Sequence, residues 1–411
     1  MYNNIIRLYA FAVKLAAPFK KKAAKIISGQ RNTLSILSEK IIPGAKYIWF
    51  HAASSGEFEQ GRPLIEKIRK EKPEYRILLT FFSPSGYEMR KDYEGADIVC
   101  YLPFDKPELV EKFLDAANPA IAIFIKYEFW KNYINSLKRR RIPTYIISAI
   151  FRPNQIFFRP YGRHYGRVLE KFDWLFVQDE NSRILLEKYN IRNVSVSGDT
   201  RFDRVYEIFE KRKEIPVVER FLKRNDDVQR LVLIAGSTWE KDEELLIPFF
   251  NAHPEYLFII APHEMGKGRV ERLLEQIKRP AIRYSEAESG QTQQADCLII
   301  DNFGLLSSIY RYADVAYVGG GFGVGIHNIL EAAVYGVPVL FGPNHKKARE
   351  ADGLIEAGGG AAVATAGELA AILNNYSAYK NLLAANGQNS GDYVVKNLGA
   401  TDRIYAKLFG L

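Results

Sequence analysis

Short apolar runs recur along the first half of the chain, at 47–50, 77–81, 98–102, 121–125, 144–148 and 174–177, and each reads as a strand. Between them the apolar residues fall at helical spacing, as at 58–70. Brief, almost continuous apolar strands alternating with helices predict a parallel sheet covered on both faces. A charged stretch from 207 to 229 breaks this rhythm. It restarts at 231–235, 256–261, 298–300 and 313–318, and again at 339–341 after a glycine loop. The pattern predicts an α/β chain of two doubly wound, Rossmann-like domains. Residues 31–206 form the first, 207–230 a linker and 231–390 the second, with a final helix over 391–411. A cleft is expected at the C-terminal ends of the strands, where open α/β sheets bind ligands.

Residues 1–30 follow a different pattern. Ile5, Ile6, Leu8, Tyr9, Ala12, Val13, Leu15, Ala16 and Phe19 are apolar at helical spacing, and Lys20, Lys21, Lys22 and Lys25 follow. The run is too short and too charged to span a bilayer. It suits a helix lying on an anionic membrane surface, although an amphipathic helix packed on its own domain has the same pattern.

Composition narrows the class. The 411 residues are 47% hydrophobic and 26% charged, as in folded globular proteins. The net charge of +9 favours an anionic partner, yet no nucleic-acid-binding signature is present. Cys100 and Cys297 have no metal-ligand spacing and fit a reducing compartment.

Candidate chemistry gathers at the strand ends. After 313–318 come Gly319, Gly320, Gly321, Gly323 and Gly325, then Asn328, Ile329, Leu330 and Glu331 opening a helix. Glycines there let backbone N–H groups approach a ligand, a helix start favours phosphate, and Glu331 is placed for ribose hydroxyls. This is the pattern of a sugar-nucleotide site. After 47–50 comes HAASSGE at 51–57, which sets Glu57 at a helix start, either to take a proton from a hydroxyl or to cap the helix. Glu128 follows 121–125, and Arg201 lies in SGDTRFD at 197–203, a cation for a phosphate or carboxylate. In the second half Ser237 and Thr238 end one strand and Pro262 and His263 another, while Phe303, Gly304 and Leu305 follow a third. Arg139, Arg140 and Arg141 add a basic run.

Taken together these segments resemble the 3-deoxy-D-manno-octulosonic acid (Kdo) transferases over nearly the whole chain. The carriers are HAASSGE at 51–57, KYEFW at 126–130, SGDTRFD at 197–203, AGSTWEKDEE at 235–244, APH at 261–263, the segment 301–322 and HNILEAAVYGVPVLFGPNH at 327–345. The resemblance implies a GT-B glycosyltransferase of family 30. It would move Kdo from CMP-Kdo to the lipid A precursor (lipid IVA) with inversion, without metal or cofactor, attached peripherally to the cytoplasmic face of the inner membrane. It implies Glu57 as general base and Glu128 and Arg201 as stabilisers of the transition state. Pro262, His263, Phe303 to Leu305 and Asn328 to Glu331 would hold CMP.

The chain departs from that pattern in places. It has Pro262-His263-Glu264 where Pro-Arg-His is usual, so Lys267 or Arg269 would have to replace the arginine. Phe303-Gly304-Leu305 stands for Met-Gly-Glu, Arg201 for lysine, and Trp239 for histidine. No Asp-x-Asp pair of the kind used by metal-dependent glycosyltransferases occurs. Two other readings stay open: a GT-B enzyme for UDP-sugars (an N-acetylglucosamine transferase or 2-epimerase), and an inactive nucleotide-binding, membrane-associated protein.

Overall fold

A computed structural model describes residues 1–410 except 224–227, 267 and 288–293, and of Arg163 the backbone alone. The chain divides into two compact units. One comprises Met1–Arg204 and Leu398–Leu411, the other Val205–Asn397.

The first unit is built on seven parallel strands: β1 (Lys46–Ala52), β2 (Tyr75–Phe81), β3 (Ile98–Tyr101), β4 (Ile121–Ile125), β5 (Thr144–Ala149), β6 (Trp174–Val177) and β7 (Val194–Val196). Their order is β3-β2-β1-β4-β5-β6-β7. Side chains alternate between two buried cores. Tyr47, Trp49, Leu78, Cys100, Ala122 and Phe124 enter one. Ile48, Phe50, Ile77, Leu79, Ile123 and Ile125 enter the other, under the helix Ser55–Glu71. Ile404 and Tyr405 of the C-terminal helix Ala400–Phe409 also enter this second core. The chain therefore returns to its first unit at the end.

The second unit repeats the plan with β8 (Leu231–Thr238), β9 (Tyr256–Pro262), β10 (Ala281–Arg283), β11 (Cys297–Ile299), β12 (Val315–Val318), β13 (Val339–Phe341) and β14 (Gly360–Ala362). The order is β10-β11-β9-β8-β12-β13-β14, again parallel. Both units are doubly wound, as the apolar rhythm predicts. In each, the strand order reverses beside the first strand, between β1 and β4 and between β8 and β12. That is where such sheets place ligands.

Differences from the sequence pattern are local. β7, β10 and β14 are edge strands of three residues each, and β10 and β14 are only partly buried, too little for a hydrophobic signature. The tail is two helices, Lys380–Lys396 and Ala400–Phe409, separated where Gly399 takes φ +91°. The charged stretch after 207 contains the end of helix Thr200–Glu210 and the helix Pro216–Leu222.

At the N-terminus, helix Tyr2–Ala16 precedes helix Lys21–Lys40. Ala10 packs with Ile26 and Phe104, and Tyr9 lies against Phe82 and Phe104. The Tyr2 hydroxyl donates to Asp105 Oδ2 at 2.6 Å. Ile5, Leu8, Phe11, Leu15 and Phe19 remain exposed, Phe19 to 88%. Among the described residues no helix is long and apolar enough to cross a membrane.

Candidate active site

Glu57 and Glu128 meet at the reversal point of the first sheet. β1 ends at Ala52, and the turn through Ser54 starts helix Ser55–Glu71, which puts Glu57 in its first turn. Glu57 Oε2 accepts the Ala53 N–H at 2.7 Å. β4 ends at Ile125, and Lys126 takes φ +68°, a left-handed bend that turns the chain toward Glu128. The Glu57 carboxyl is pushed up to about 7, first by burial and then by the charge of Glu128. The Ala53 and Ser54 N–H groups and the Lys126 ammonium pull the other way. A carboxylate that titrates near neutrality is matched to general base work. The capping function read in the sequence is present too, since the backbone N–H groups of Ala53 and Ser54 bond the carboxyl.

Glu128 is buried, and its donors were not foreseen. His51 Nε2 lies 3.1 Å from Glu128 Oε2, and Trp130 Nε1 donates to the same oxygen at 2.6 Å. His51 Nδ1 faces Thr80 Oγ1 at 2.9 Å, and that hydroxyl also accepts from Trp49 Nε1 at 2.8 Å. His51, Thr80 and Trp49 are completely buried. The sequence signal was the odd-position alternation Tyr47, Trp49, His51, which puts the imidazole on the tryptophan's side of β1.

Arg201 opens helix Thr200–Glu210 in the same unit. Its Nε and Nη2 donate to Asp199 Oδ2 at 2.9 and 2.6 Å, so Asp199 sets its direction. Thr200 ties this helix start to the Glu57 helix through Gln60 O at 2.5 Å. Asp203, from the same motif, receives Gly399 N at 2.7 Å and Thr401 N and Oγ1, both at 2.6 Å. It caps the returning C-terminal helix. Arg139 and Arg140 pair with Glu111, and Arg140 also with Asp115. Those two charges of the basic run are thus largely neutralised locally.

In the second unit the glycine loop follows β12, beside β8. A Cβ on Gly319 would lie 2.3 Å from Ser237 O, and Gly320 has φ +97°. Close backbone packing therefore requires these glycines. Four of the five N–H groups of the loop bond within the protein. Gly319 N donates to Gly236 O, Gly320 N to Asp242 Oδ2 at 2.9 Å, and Gly323 and Gly325 both to Gly320 O. The following helix, Leu330–Ala333, is a single turn, and so has little macrodipole for a phosphate. Asn328 Nδ2 donates to Glu331 Oε1 at 3.0 Å, and Asn328 Oδ1 accepts from Leu330 N. Ile329 and Leu330 are buried.

Ser237 holds the left-handed φ of +53° where β8 slips register against β9. Thr238 Oγ1 donates to buried Glu243 at 2.7 Å, so its hydroxyl braces the following helix. Pro262 ends β9, and His263 N donates to Thr238 O. The His263 ring stacks against Trp239, at 4.7 Å, and against His327, at 4.4 Å. Trp239 Nε1 donates to His327 Nε2 at 3.3 Å. Burial and His263 hold the His327 imidazole below its usual range. Trp239 and His327 were missed as partners because stacking across three strand ends has no sequence spacing.

A cavity of about 550 Å³ opens beside this stack, lined by Trp239, Lys241, Arg269, Arg272, Gly320 and Val324 among others. That size suits a small-molecule ligand. Arg269 reaches it, but its guanidinium is held by Glu243 at 2.6 Å and Glu240 at 3.3 Å. It is therefore not a free substitute for the missing arginine. Lys267 lies outside the described residues. Phe303, Gly304 and Leu305 form a turn in which Phe303 is 79% exposed and Gly304 has φ +89°.

Known proteins resemble parts of this chain. The model described as 3-deoxy-D-manno-octulosonic-acid transferase (kdotransferase) matches residues 22–204. A protein named bifunctional glycosyltransferase/methyltransferase from Fusobacterium nucleatum is 26% identical over 362 residues, covering 83% of this chain and 53% of that protein. The chain thus spans about half the length of that relative. A 3-deoxy-D-manno-octulosonic acid transferase from Aquifex aeolicus is 25% identical over 317 residues, covering 75% of this chain and 79% of that protein. Among solved structures, a UDP-GlcNAc 2-epimerase from Neisseria meningitidis bound to UDP-GlcNAc has a TM-score of 0.62 at 15% identity, covering 89% and 100% of the two chains. That likeness is one of fold, in the GT-B class.

Proposed function

We propose that the chain is a Kdo transferase, which moves Kdo from CMP-Kdo to a lipid A precursor with inversion and with Glu57 as the base, a reading supported by the family model over residues 22–204 and by the named relatives. The observation that carries this reading is the carboxyl of Glu57, exposed enough to meet a hydroxyl and pushed up to about 7. In the reaction the Glu57 carboxylate takes the proton of the attacking acceptor hydroxyl. The acceptor oxygen bonds to the anomeric carbon of Kdo. The bond from that carbon to the CMP phosphate oxygen breaks, and CMP departs with the electron pair. Inversion needs one base on the acceptor side, and no covalent sugar intermediate forms.

Glu128 contributes fixed negative charge where positive character develops on the sugar. Arg201, aimed by Asp199, offsets the carboxylate of Kdo or the phosphates of the acceptor. The donor nucleotide is assigned to the second unit, to the cavity lined by Trp239 and by Gly320 and Gly323 of the glycine loop, with His263, Asn328 and Glu331 as further expected contacts. Membrane attachment is assigned to helix Tyr2–Ala16, whose exposed Ile5, Leu8 and Leu15 would enter the interface, while Lys20, Lys21 and Lys22 meet anionic headgroups.

The test offers the full chain CMP-Kdo or UDP-sugars, each with a lipid A precursor, and measures nucleotide release. Release of CMP that depends on the acceptor is the expected result. Turnover with UDP-sugars alone would overturn the reading.

A further inference from the structure

We propose that His51 is a positioning residue of this reaction: with Trp130 it fixes Glu128 through one carboxylate oxygen and aims the other toward Glu57. This deepens the function proposed above and rests on Glu57 being the base. The geometry is specific. Both rings converge on Oε2: Trp130 Nε1 donates to it at 2.6 Å, His51 Nε2 lies 3.1 Å from it, and the two ring nitrogens are 3.1 Å apart. Among the described residues no hydrogen bond reaches Oε1. The imidazole is itself fixed by Thr80 Oγ1 at 2.9 Å, which Trp49 Nε1 holds at 2.8 Å.

Two neutral tautomers of His51 fit these contacts: with the proton on Nδ1 the ring donates to Thr80 and Nε2 accepts from Trp130 Nε1, 3.1 Å away, whereas with the proton on Nε2 it donates to Glu128, and it is this second tautomer that the role requires. In that form Trp49 donates to the Thr80 hydroxyl, which donates to His51 Nδ1. His51 Nε2–H and Trp130 Nε1–H both donate to Glu128. The chain of donors ends on one oxygen of a buried carboxylate and fixes its orientation. His51 Nδ1 also lies 3.2 Å from the backbone Thr80 O, and the outward nitrogen of the ring lies against a carboxylate at a strand end.

The charged groups around the pair act together. Glu57 faces Glu128 and Lys126, and Glu128 also faces His51 and Tyr165. Removing a donor from Glu128 disfavours its charge, so its carboxyl titrates higher. Glu57 then loses a negative neighbour, and its own carboxyl titrates lower. A purely structural histidine would not move the titration of Glu57.

The experiment compares pH profiles of kcat/KM for the full-length wild type, Glu57→Gln, Glu128→Gln, His51→Gln, His51→Leu and the double variant His51→Leu/Glu128→Gln, using CMP-Kdo and a lipid A precursor. Glu128→Gln and His51→Leu are expected to shift the acidic limb downward by about one pH unit. His51→Leu should cost about tenfold in kcat at pH 8 with the KM for CMP-Kdo unchanged. His51→Gln, which keeps a donor, should restore most of both. The double variant should lose little beyond Glu128→Gln alone. If His51→Leu does not fold, Trp130→Phe removes the other donor and should give the same shift. A uniform loss with an unmoved limb, or fully additive losses in the double variant, overturns the role of His51. Full activity of Glu57→Gln instead overturns the assignment of the base, so the two failures are distinguishable.

Discussion

Glu57 and Glu128 project from the ends of adjacent parallel strands, and the charge of Glu128 adds to burial in raising the Glu57 carboxyl to about 7. A carboxyl raised by burial and by a neighbouring carboxylate is suited to taking a proton near neutral pH.

The sign of that shift sets the pH dependence. As the proposed base, Glu57 would act only when deprotonated, and this form is lost as pH falls through about 7. kcat/KM should be level above pH 8 and fall about tenfold per unit below pH 6. A profile flat down to pH 5 would show that no such carboxyl governs the reaction.

Glu57→Gln keeps the size of the side chain and an acceptor for Ala53 N–H but removes the basic oxygen. Activity should fall by roughly 100-fold to 10,000-fold. Stability should not fall with it. A carboxyl raised in the folded state favours folding at low pH and opposes it as pH rises through about 7. At pH 8 the melting temperature should be unchanged or a few degrees higher. A large drop in melting temperature would mean that the loss of activity reports unfolding.

Gly319→Ala places a methyl 2.3 Å from Ser237 O and 2.7 Å from Thr238 Cα, both backbone atoms. The loop must shift, at a cost of about 1–3 kcal/mol. The KM for the nucleotide donor should rise, with a lower melting temperature. Gly44→Ala, at an exposed turn with φ +79° and nothing within 4 Å, is the comparison and should leave the KM alone. An unchanged KM in Gly319→Ala would remove the loop from the donor site.

Membrane attachment predicts a separable effect. Leu8→Glu with Phe19→Glu alters side chains that are 68% and 88% exposed. Binding to vesicles containing anionic lipid should weaken by roughly tenfold or more. The melting temperature and turnover of a detergent-solubilised acceptor should hold. Unchanged vesicle binding would assign those residues another role.

Much of this was legible in the chain. Long buried strands such as β1, β4 and β9 carry enough apolar residues to be read directly. Glu57 and Glu128 could be placed at strand ends because a strand followed by a turn and a helix fixes where the next polar residue falls. What was not legible depends on contacts between distant segments. The glycine loop read as an anion cradle, whereas Asp242, 78 residues earlier than Gly320, takes its N–H. Arg269 read as a spare phosphate ligand, whereas buried Glu243 binds it. Asp203 read only as part of a motif, yet it holds Thr401, 198 residues away. Spacing along a sequence cannot reveal which donors the fold has already used.

Mass spectrometry of the lipid product tests the central claim most directly. Full-length protein is incubated with CMP-Kdo and a defined lipid A precursor, beside Glu57→Gln under the same conditions. The account predicts that the acceptor gains the mass of one or more Kdo residues with wild-type protein and remains unmodified with the variant over the same interval. An unmodified acceptor with wild-type protein, or equal modification by the variant, would contradict it.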